Sequence, residues 1–107
     1  IMNLHNKMEE EFGYTMTLFR APAGEFSERT LAQTQQLGYK SVFWSYAYAD
    51  WDPNNQIGTD KAYAKVTGAL HPGAIYLLHA VSPDNAAILG DFIDYAREQG
   101  YTFELFQ

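Results

Sequence analysis

The sequence of 107 residues contains no cysteine. Disulfide bonds and thiolate metal sites are therefore excluded, and thiol use says nothing about the redox compartment. Basic residues are also scarce: seven Lys and Arg stand against 13 Asp and Glu, a formal net charge of -6. Because neutralising a phosphate backbone requires clustered Lys and Arg, this balance argues against nucleic acid as a partner.

Long apolar runs are absent as well. No stretch approaches the roughly 18 apolar residues of a membrane-spanning helix, so no membrane span is expected. Glu9, Glu10 and Glu11 stand where a signal peptide would keep its apolar run, and no signal peptide is predicted in these residues. With 47% apolar residues the chain can order one core, and we expect a single domain or a piece of one.

Metal-binding and nucleophile motifs are weak or lacking. Phosphate loops, zincin helices and the Gly-X-Ser-X-Gly elbow do not occur. A calcium loop beginning at Asp50 is partly matched, but Asn55 replaces the required Gly and Lys61 replaces the final Glu. No metal ligand is therefore predicted within this chain.

What the sequence does contain is a regular alternation of strand-like and helix-like segments. Strands are predicted over 14–19, 41–46, 74–78 and 101–106, with helices between them and before the first. Such alternation is typical of parallel strands joined by right-handed crossovers. The predicted class is α/β, with alternating βα units and a parallel sheet. Since a closed parallel barrel commonly needs about eight strands, the sheet is either open or a portion of something larger.

Three polar residues stand at the ends of predicted strands, one βα unit apart: Arg20, Asp50 and His79. The carboxyl ends of parallel strands form one face, so these side chains can converge on one pocket. An imidazole there can act as general acid or base, and Asp50 is the candidate to orient it and favour its charged form. Arg20 would bind an anion or pair with a carboxylate.

Each candidate also has a plainer interpretation. For His79 it is a core histidine satisfied by the backbone, and for Arg20 it is a structural salt bridge at a strand end. Trp51 fits hydrophobic packing as well as it fits a sugar-stacking platform. Sequence patterns leave these alternatives open.

Three fragments together resemble a known family: Arg20-Ala-Pro-Ala-Gly24, Asp50-Trp51 and Leu77-Leu78-His79. They are similar to the third, fourth and fifth sequence motifs of the polysaccharide deacetylases, carbohydrate esterases with a distorted β/α barrel. Longer runs, including His71–Ser82, are similar to the sporulation branch, the peptidoglycan N-acetylmuramic acid deacetylases. The product of that branch permits muramic δ-lactam formation in spore cortex.

The resemblance implies catalytic roles for three residues. His79 would be the general acid that protonates the leaving amine, and Asp50 would orient and tune it. Arg20 would hold the catalytic aspartate base. In the fourth motif an aspartate commonly stands where this chain has Ala47, a loss that the sporulation branch shares.

The resemblance also implies a substrate groove. Ala23 and Gly24 would bind substrate, with the backbone N–H of Ala23 helping to hold the oxyanion. Leu77 and Trp51 would line the acetyl pocket and the groove. Many family members have tyrosine where this chain has Ala23, so one side chain is removed from the groove while the backbone donor is kept.

The family's first two motifs, which supply the base and the metal ligands, occur nowhere in these residues. Residues 1–107 are therefore expected to be the C-terminal portion of a deacetylase catalytic domain, about half of the barrel. The divalent metal, by resemblance zinc, would be held by the absent N-terminal half, and the chain alone would be inactive. Self-association or pairing with that half is expected, because half a barrel exposes sheet edges.

By resemblance, the partner is a peptidoglycan glycan strand and the location is extracytoplasmic, in the cell envelope or spore cortex. An alternative from another class is a non-catalytic carbohydrate-binding or self-assembling module with the same fold. A third interpretation is an unrelated small open-sheet protein of flavodoxin-like shape.

Overall fold

The computed structural model describes residues 1–106, which form two compact units, one of residues 1–43 and one that begins at Trp44. Helices and short parallel strands alternate along the chain, which confirms the predicted α/β class. The elements are α1 Met2–Phe12, β1 Leu18–Phe19, α2 Glu28–Gln36, β2 Lys40–Ser41, β3 Tyr46–Ala47, α3 Thr59–Gly68, β4 Tyr76–Leu77 and α4 Pro83–Glu98.

The first unit is built on one parallel strand pair. β1 and β2 align Leu18 with Lys40, and α2 connects them. A capping box begins α2: the Ser27 hydroxyl accepts from the Thr30 N–H at 3.1 Å, and the Thr30 hydroxyl accepts from the Ser27 N–H at 2.8 Å. Arg20 lies directly after β1.

The second unit contains the other parallel pair. β3 and β4 align Tyr46 with Tyr76 and Ala47 with Leu77, and α3 lies between them in sequence. Because the two strands run in the same direction, the segments that follow them leave the pair at one edge. This edge carries Asp50 and His79.

Helices α3 and α4 pack together to form the core of the second unit. One buried apolar cluster joins them, with Ala62 and Val66 from α3 and Ile88 and Phe92 from α4. In each helix the two residues are four positions apart and share one face.

Helix α4 begins at Pro83, as the Ser82-Pro83 pair predicts, a short distance along the chain after β4. The Ser82 hydroxyl accepts from the backbone N–H of Asn85 at 3.1 Å, and Pro83 occupies the first helical position. The first turn of α4 therefore has a defined position beside Asp50 and His79.

The strands are shorter than predicted, and the last one is absent. The predicted strand 41–46 is divided between β2 and β3, and 101–106 is not a strand. The N–H of Tyr101 donates to the Ala96 carbonyl at 3.0 Å, which turns the chain back onto the end of α4. A strand needs a neighbour that offers open backbone groups, and within residues 1–106 no strand pairs with this segment. The prediction of a final strand was wrong.

None of the helices formed by residues 1–106 is long and apolar enough to cross a membrane.

Candidate active site

Asp50 and His79 form a directly hydrogen-bonded pair at the carboxyl ends of β3 and β4. The Oδ1 atom of Asp50 lies 2.7 Å from Nδ1 of the His79 ring, and Oδ2 accepts the backbone N–H of His79 at 2.8 Å. Asp50 is only 1% exposed, whereas the His79 side chain is 35% exposed. The structure thus brings together the two residues that strand order predicts to meet; their catalytic roles stay predictions.

Asp50 is ionised in spite of its burial. Burial alone would raise the pKa of Asp50, but hydrogen bonds from the His79 backbone, the Asn85 side chain and the His79 ring together hold this pKa below its usual value. A carboxylate only accepts hydrogen bonds, so the ring nitrogen that faces it, Nδ1, carries a proton. The other ring nitrogen, Nε2, is left to exchange a proton with a ligand.

Three further side chains complete the surroundings of Asp50. Nδ2 of Asn85 donates to Oδ2 of Asp50 at 2.6 Å, and the hydroxyl of Tyr48 donates to Oδ1 of Asn85. Nε2 of Gln56 donates to the backbone carbonyl of Asp50 at 3.0 Å. Every buried side-chain N and O atom of residues 1–106 has a hydrogen-bond partner, so this polar cluster carries no unpaired group.

Sequence patterns assigned no role in the site to Tyr48, Asn85 or Gln56. The one available signal was the polar run Ser82–Asn85 at the start of α4. Such residues are common in first helical turns, where they usually serve as caps.

Trp51 lies beside the His79 ring and is 61% exposed. The two ring centroids are 6.3 Å apart with the rings nearly perpendicular. Trp51 therefore does not pack inside the core that residues 1–106 form, and it presents an exposed apolar ring beside the His79 ring. Leu77, the last residue of β4, is half-buried.

Gln56 fixes the segment that carries Trp51. Its Nε2 donates to the carbonyls of Asp50 and Asp52, on either side of Trp51, at 3.0 and 2.8 Å. Its Oε1 accepts from the Ser82 hydroxyl at 2.6 Å. The amide N–H groups of Gln56 thus occupy the two carbonyls, an arrangement unlike that of a calcium loop, whose oxygens point at the ion.

Arg20, Ala23 and Gly24 form a separate group in the first unit. Arg20 is exposed, and a single helical turn, Pro22–Gly24, follows it. Ala23 has a φ of 57°, the left-handed region that costs a residue with a Cβ about 1 kcal/mol or more. Strained backbone of this kind is common at functional sites, and the role implied for Ala23 stays a prediction.

The resemblance assigns the metal ligands to motifs outside residues 1–107, so the side chains of this chain are not expected to form the site by themselves. Within residues 1–106, no group of three His, Asp or Glu side chains lies close enough to hold a metal ion. Both oxygens of Asp50 already accept N–H donors, one at Oδ1 and two at Oδ2.

Comparison with known proteins gives the same relatives by sequence and by structure. No protein-family model matches the chain. It is 47% identical over 100 residues to an uncharacterised 30.6 kDa protein of Geobacillus stearothermophilus, covering 92% of this chain and 38% of that protein. It is 54% identical over 85 residues to PdaA, a peptidoglycan N-acetylmuramic acid deacetylase of Bacillus subtilis, covering 79% of this chain and 32% of the relative.

The structural comparison agrees. The solved structure of Bacillus subtilis PdaA, a family 4 carbohydrate esterase, superposes with a TM-score of 0.88 and 45% identity, over 97% of this chain and 45% of that one. The chain spans about a third of the length of the curated relatives named above. On sequence and structure together, the chain belongs to the polysaccharide deacetylases of carbohydrate esterase family 4.

Proposed function

We propose that this chain is the C-terminal portion of a metal-dependent peptidoglycan N-deacetylase and that it supplies the general-acid side of the active site. The observation that carries the proposal is the Asp50–His79 pair, whose geometry leaves Nε2 of a partly exposed ring free. The identity to a peptidoglycan N-acetylmuramic acid deacetylase supports the same amino sugar as substrate. Formation of muramic δ-lactam in spore cortex would be the purpose.

The chemistry assigned to this chain is proton delivery. Cleavage of an amide is easier when the departing nitrogen receives a proton, and a histidine is suited to donate it near neutral pH. Asp50 accepts from Nδ1 and keeps it occupied, so that the proton leaves from Nε2. Trp51 offers a flat surface for the sugar ring beside the His79 ring.

Arg20 and Ala23 have roles on the other side of the reaction in this proposal. Arg20 would hold the aspartate base, and the Ala23 N–H would donate to the oxyanion that forms at the carbonyl. The base and the divalent metal, for which we propose zinc, would come from an N-terminal half. The metal would polarise the amide carbonyl when bound.

Location and partners follow from the substrate. The enzyme would act on glycan strands outside the cytoplasm, in the cell envelope or spore cortex.

The chain would pair with the N-terminal half or with a second copy of itself. Three exposed apolar residues around an open groove of about 760 Å³ support this pairing: Leu89, Phe103 and Leu105. Size-exclusion chromatography with light scattering tests this, and a monomer at high concentration contradicts it.

The test of the function is a fusion protein. The N-terminal part of Bacillus subtilis PdaA, up to the segment that this chain matches, is joined to residue 1, and acetate release from peptidoglycan is measured with and without zinc. Zinc-dependent release is expected from the fusion and none from the chain alone. A folded fusion that releases no acetate contradicts the proposal.

A non-catalytic carbohydrate-binding module is the second candidate, and the exposure of Trp51 favours it. It predicts that glycan fragments bind the isolated chain without metal, while the fusion protein stays inactive. Calorimetric titration with muramyl oligosaccharides, alongside the acetate assay, separates the two functions.

A further inference from the structure

Asp50 accepts one hydrogen bond from a residue that the proposed chemistry does not use. Its Oδ2 atom receives the backbone N–H of His79 at 2.8 Å and Nδ2 of Asn85 at 2.6 Å. Asn85 is buried in the first turn of α4, and its Nδ2 also lies 3.3 Å from the His79 carbonyl. One amide group therefore contacts both members of the pair.

Tyr48 holds the oxygen end of the Asn85 amide, while Asp50 and the His79 carbonyl accept from its nitrogen end. Burial raises the pKa of Tyr48, and the nearby charge of Asp50 raises it further, so its hydroxyl keeps its proton at neutral pH. That hydroxyl donates to Oδ1 of Asn85. With the oxygen occupied by Tyr48, the nitrogen of the amide must face Asp50.

These contacts hold the plane of the Asp50 carboxylate. A carboxylate turns about its Cβ–Cγ bond unless donors are fixed at both oxygens. Here Oδ2 is held by two N–H groups, so Oδ1 is directed at Nδ1 of His79. Without Asn85 the buried Asp50 carboxylate would lose one hydrogen-bond donor and would be less restricted in its rotation about the Cβ–Cγ bond.

We propose that Asn85, oriented by Tyr48, is a positioning residue that keeps the proton of the neutral His79 ring on Nδ1 and leaves Nε2 as the nitrogen facing substrate. The assignment rests on the proposed function only in naming His79 as the proton donor. In many sites a hydrogen bond to the partner of a functional histidine sets which of the two ring nitrogens carries the proton.

The test measures the tautomer directly. In ¹⁵N-labelled protein, long-range proton–nitrogen correlations report the ratio of Nδ1–H to Nε2–H forms of His79 at a pH where the ring is neutral. Asn85→Ala is expected to lower this ratio about fivefold or more, the effect of one lost hydrogen bond of typical net strength. Tyr48→Phe is expected to lower it as well, by a smaller factor, because Oδ1 of Asn85 then lacks its donor and the amide is held less firmly against Asp50.

Two controls separate positioning from general damage. Tyr76→Phe removes a comparable hydroxyl, which donates to the Val66 carbonyl at 2.5 Å and has no link to Asp50, so the ratio is expected to stay unchanged. In Asn85→Ala protein, adding Tyr48→Phe is expected to produce no further fall, since its effect passes through Asn85. Circular dichroism and thermal melting verify that each variant is folded.

An unchanged ratio in folded Asn85→Ala protein would overturn the assignment. If that variant does not fold, an unchanged ratio in Tyr48→Phe protein overturns it instead. The readout needs no deacetylation: a fusion that releases no acetate, with the ratio behaving as expected, refutes the function and leaves the positioning role. Acetate release with an unresponsive ratio refutes the positioning role alone.

Discussion

Asp50 binds the ring and the backbone of His79 at the same time, with Oδ1 2.7 Å from Nδ1 and Oδ2 2.8 Å from the backbone nitrogen. The contact with the backbone nitrogen fixes the position of the His79 main chain, and the contact with Nδ1 fixes the orientation of its ring. A histidine held at both ends by one buried carboxylate has little freedom to turn away from the site. A core histidine satisfied by backbone carbonyls would show neither contact, so the plainer interpretation of His79 does not describe the structure.

The rate of deacetylation should depend on His79. In the active fusion protein, His79→Ala is expected to lower the rate of the chemical step roughly 100-fold or more, as loss of a general acid does. Single-turnover acetate release measures it. The matched control is His71→Ala, since His71 lies in a turn with its Nδ1 atom 2.8 Å from the Ala69 carbonyl, away from Asp50. A fall of less than threefold for His79→Ala would remove His79 from the mechanism.

The unfolding free energy of the chain at acid pH should depend on whether Asp50 is ionised. Because its folded pKa lies below the ordinary value of 3.8, Asp50 contributes stability that is fully present above that value and is lost as the pH falls through the folded pKa. Asp50→Asn removes this contribution. The unfolding free energies of wild type and Asp50→Asn, from urea titrations between pH 7 and pH 2, are therefore expected to converge in strong acid.

The opposite trend would contradict the assigned direction. A difference between wild type and Asp50→Asn that stays constant down to pH 2, or that grows, would mean that the carboxylate gains no stabilisation from its three N–H donors.

Binding of glycan should depend on Trp51, and stability should not. Trp51→Ala is expected to weaken binding of muramyl oligosaccharides about tenfold, the value of a lost aromatic contact, while changing the unfolding free energy by less than about 0.5 kcal/mol because the ring is exposed. Calorimetric titration and urea unfolding measure the two quantities. Trp51→Phe keeps an aromatic surface and is expected to keep most of the affinity; equal losses in both variants would rule out a platform.

The order of the loop should depend on Gln56. Gln56→Glu replaces the two amide N–H donors by an oxygen that faces the carbonyls of Asp50 and Asp52, so repulsion replaces two hydrogen bonds. We expect a loss of about 1–3 kcal/mol in unfolding free energy and faster hydrogen exchange over residues 50–56. The control is Gln36→Glu, because the Gln36 side chain on α2 is exposed. Unchanged exchange over residues 50–56 would show that Gln56 does not hold the loop.

Local signals predicted the helices well. Ser82 followed by Pro83 predicted the start of α4, and the structure has the cap and the proline where the pattern placed them. Helical spacing also predicted one apolar face of α4; Phe92 and Ala96 of that face are buried, whereas Leu89 is 46% exposed. Both features depend on residues within a few positions of one another, so the sequence alone contains them.

Strand extent and the outer hydrogen bonds were not predictable in this way. The segment Tyr101–Phe106 has the composition of a strand but bonds back to α4, because strand formation depends on a partner that composition does not reveal. Tyr48 and Asn85 meet across 37 positions, and nothing near either residue indicates the other. The strand-end rule placed Asp50 and His79 correctly because topology, which the alternation does reveal, brings them together.

The order of events during synthesis follows from where the partners of Asp50 lie. Two of its N–H donors belong to residues 29 and 35 positions further along the chain, His79 and Asn85. A carboxylate that lacks such donors stays hydrated, because burying an unpaired charge is costly. As the nascent polypeptide leaves the ribosome, Asp50 therefore remains hydrated, and the stretch with Trp51 remains open to water, until α4 has emerged and folded.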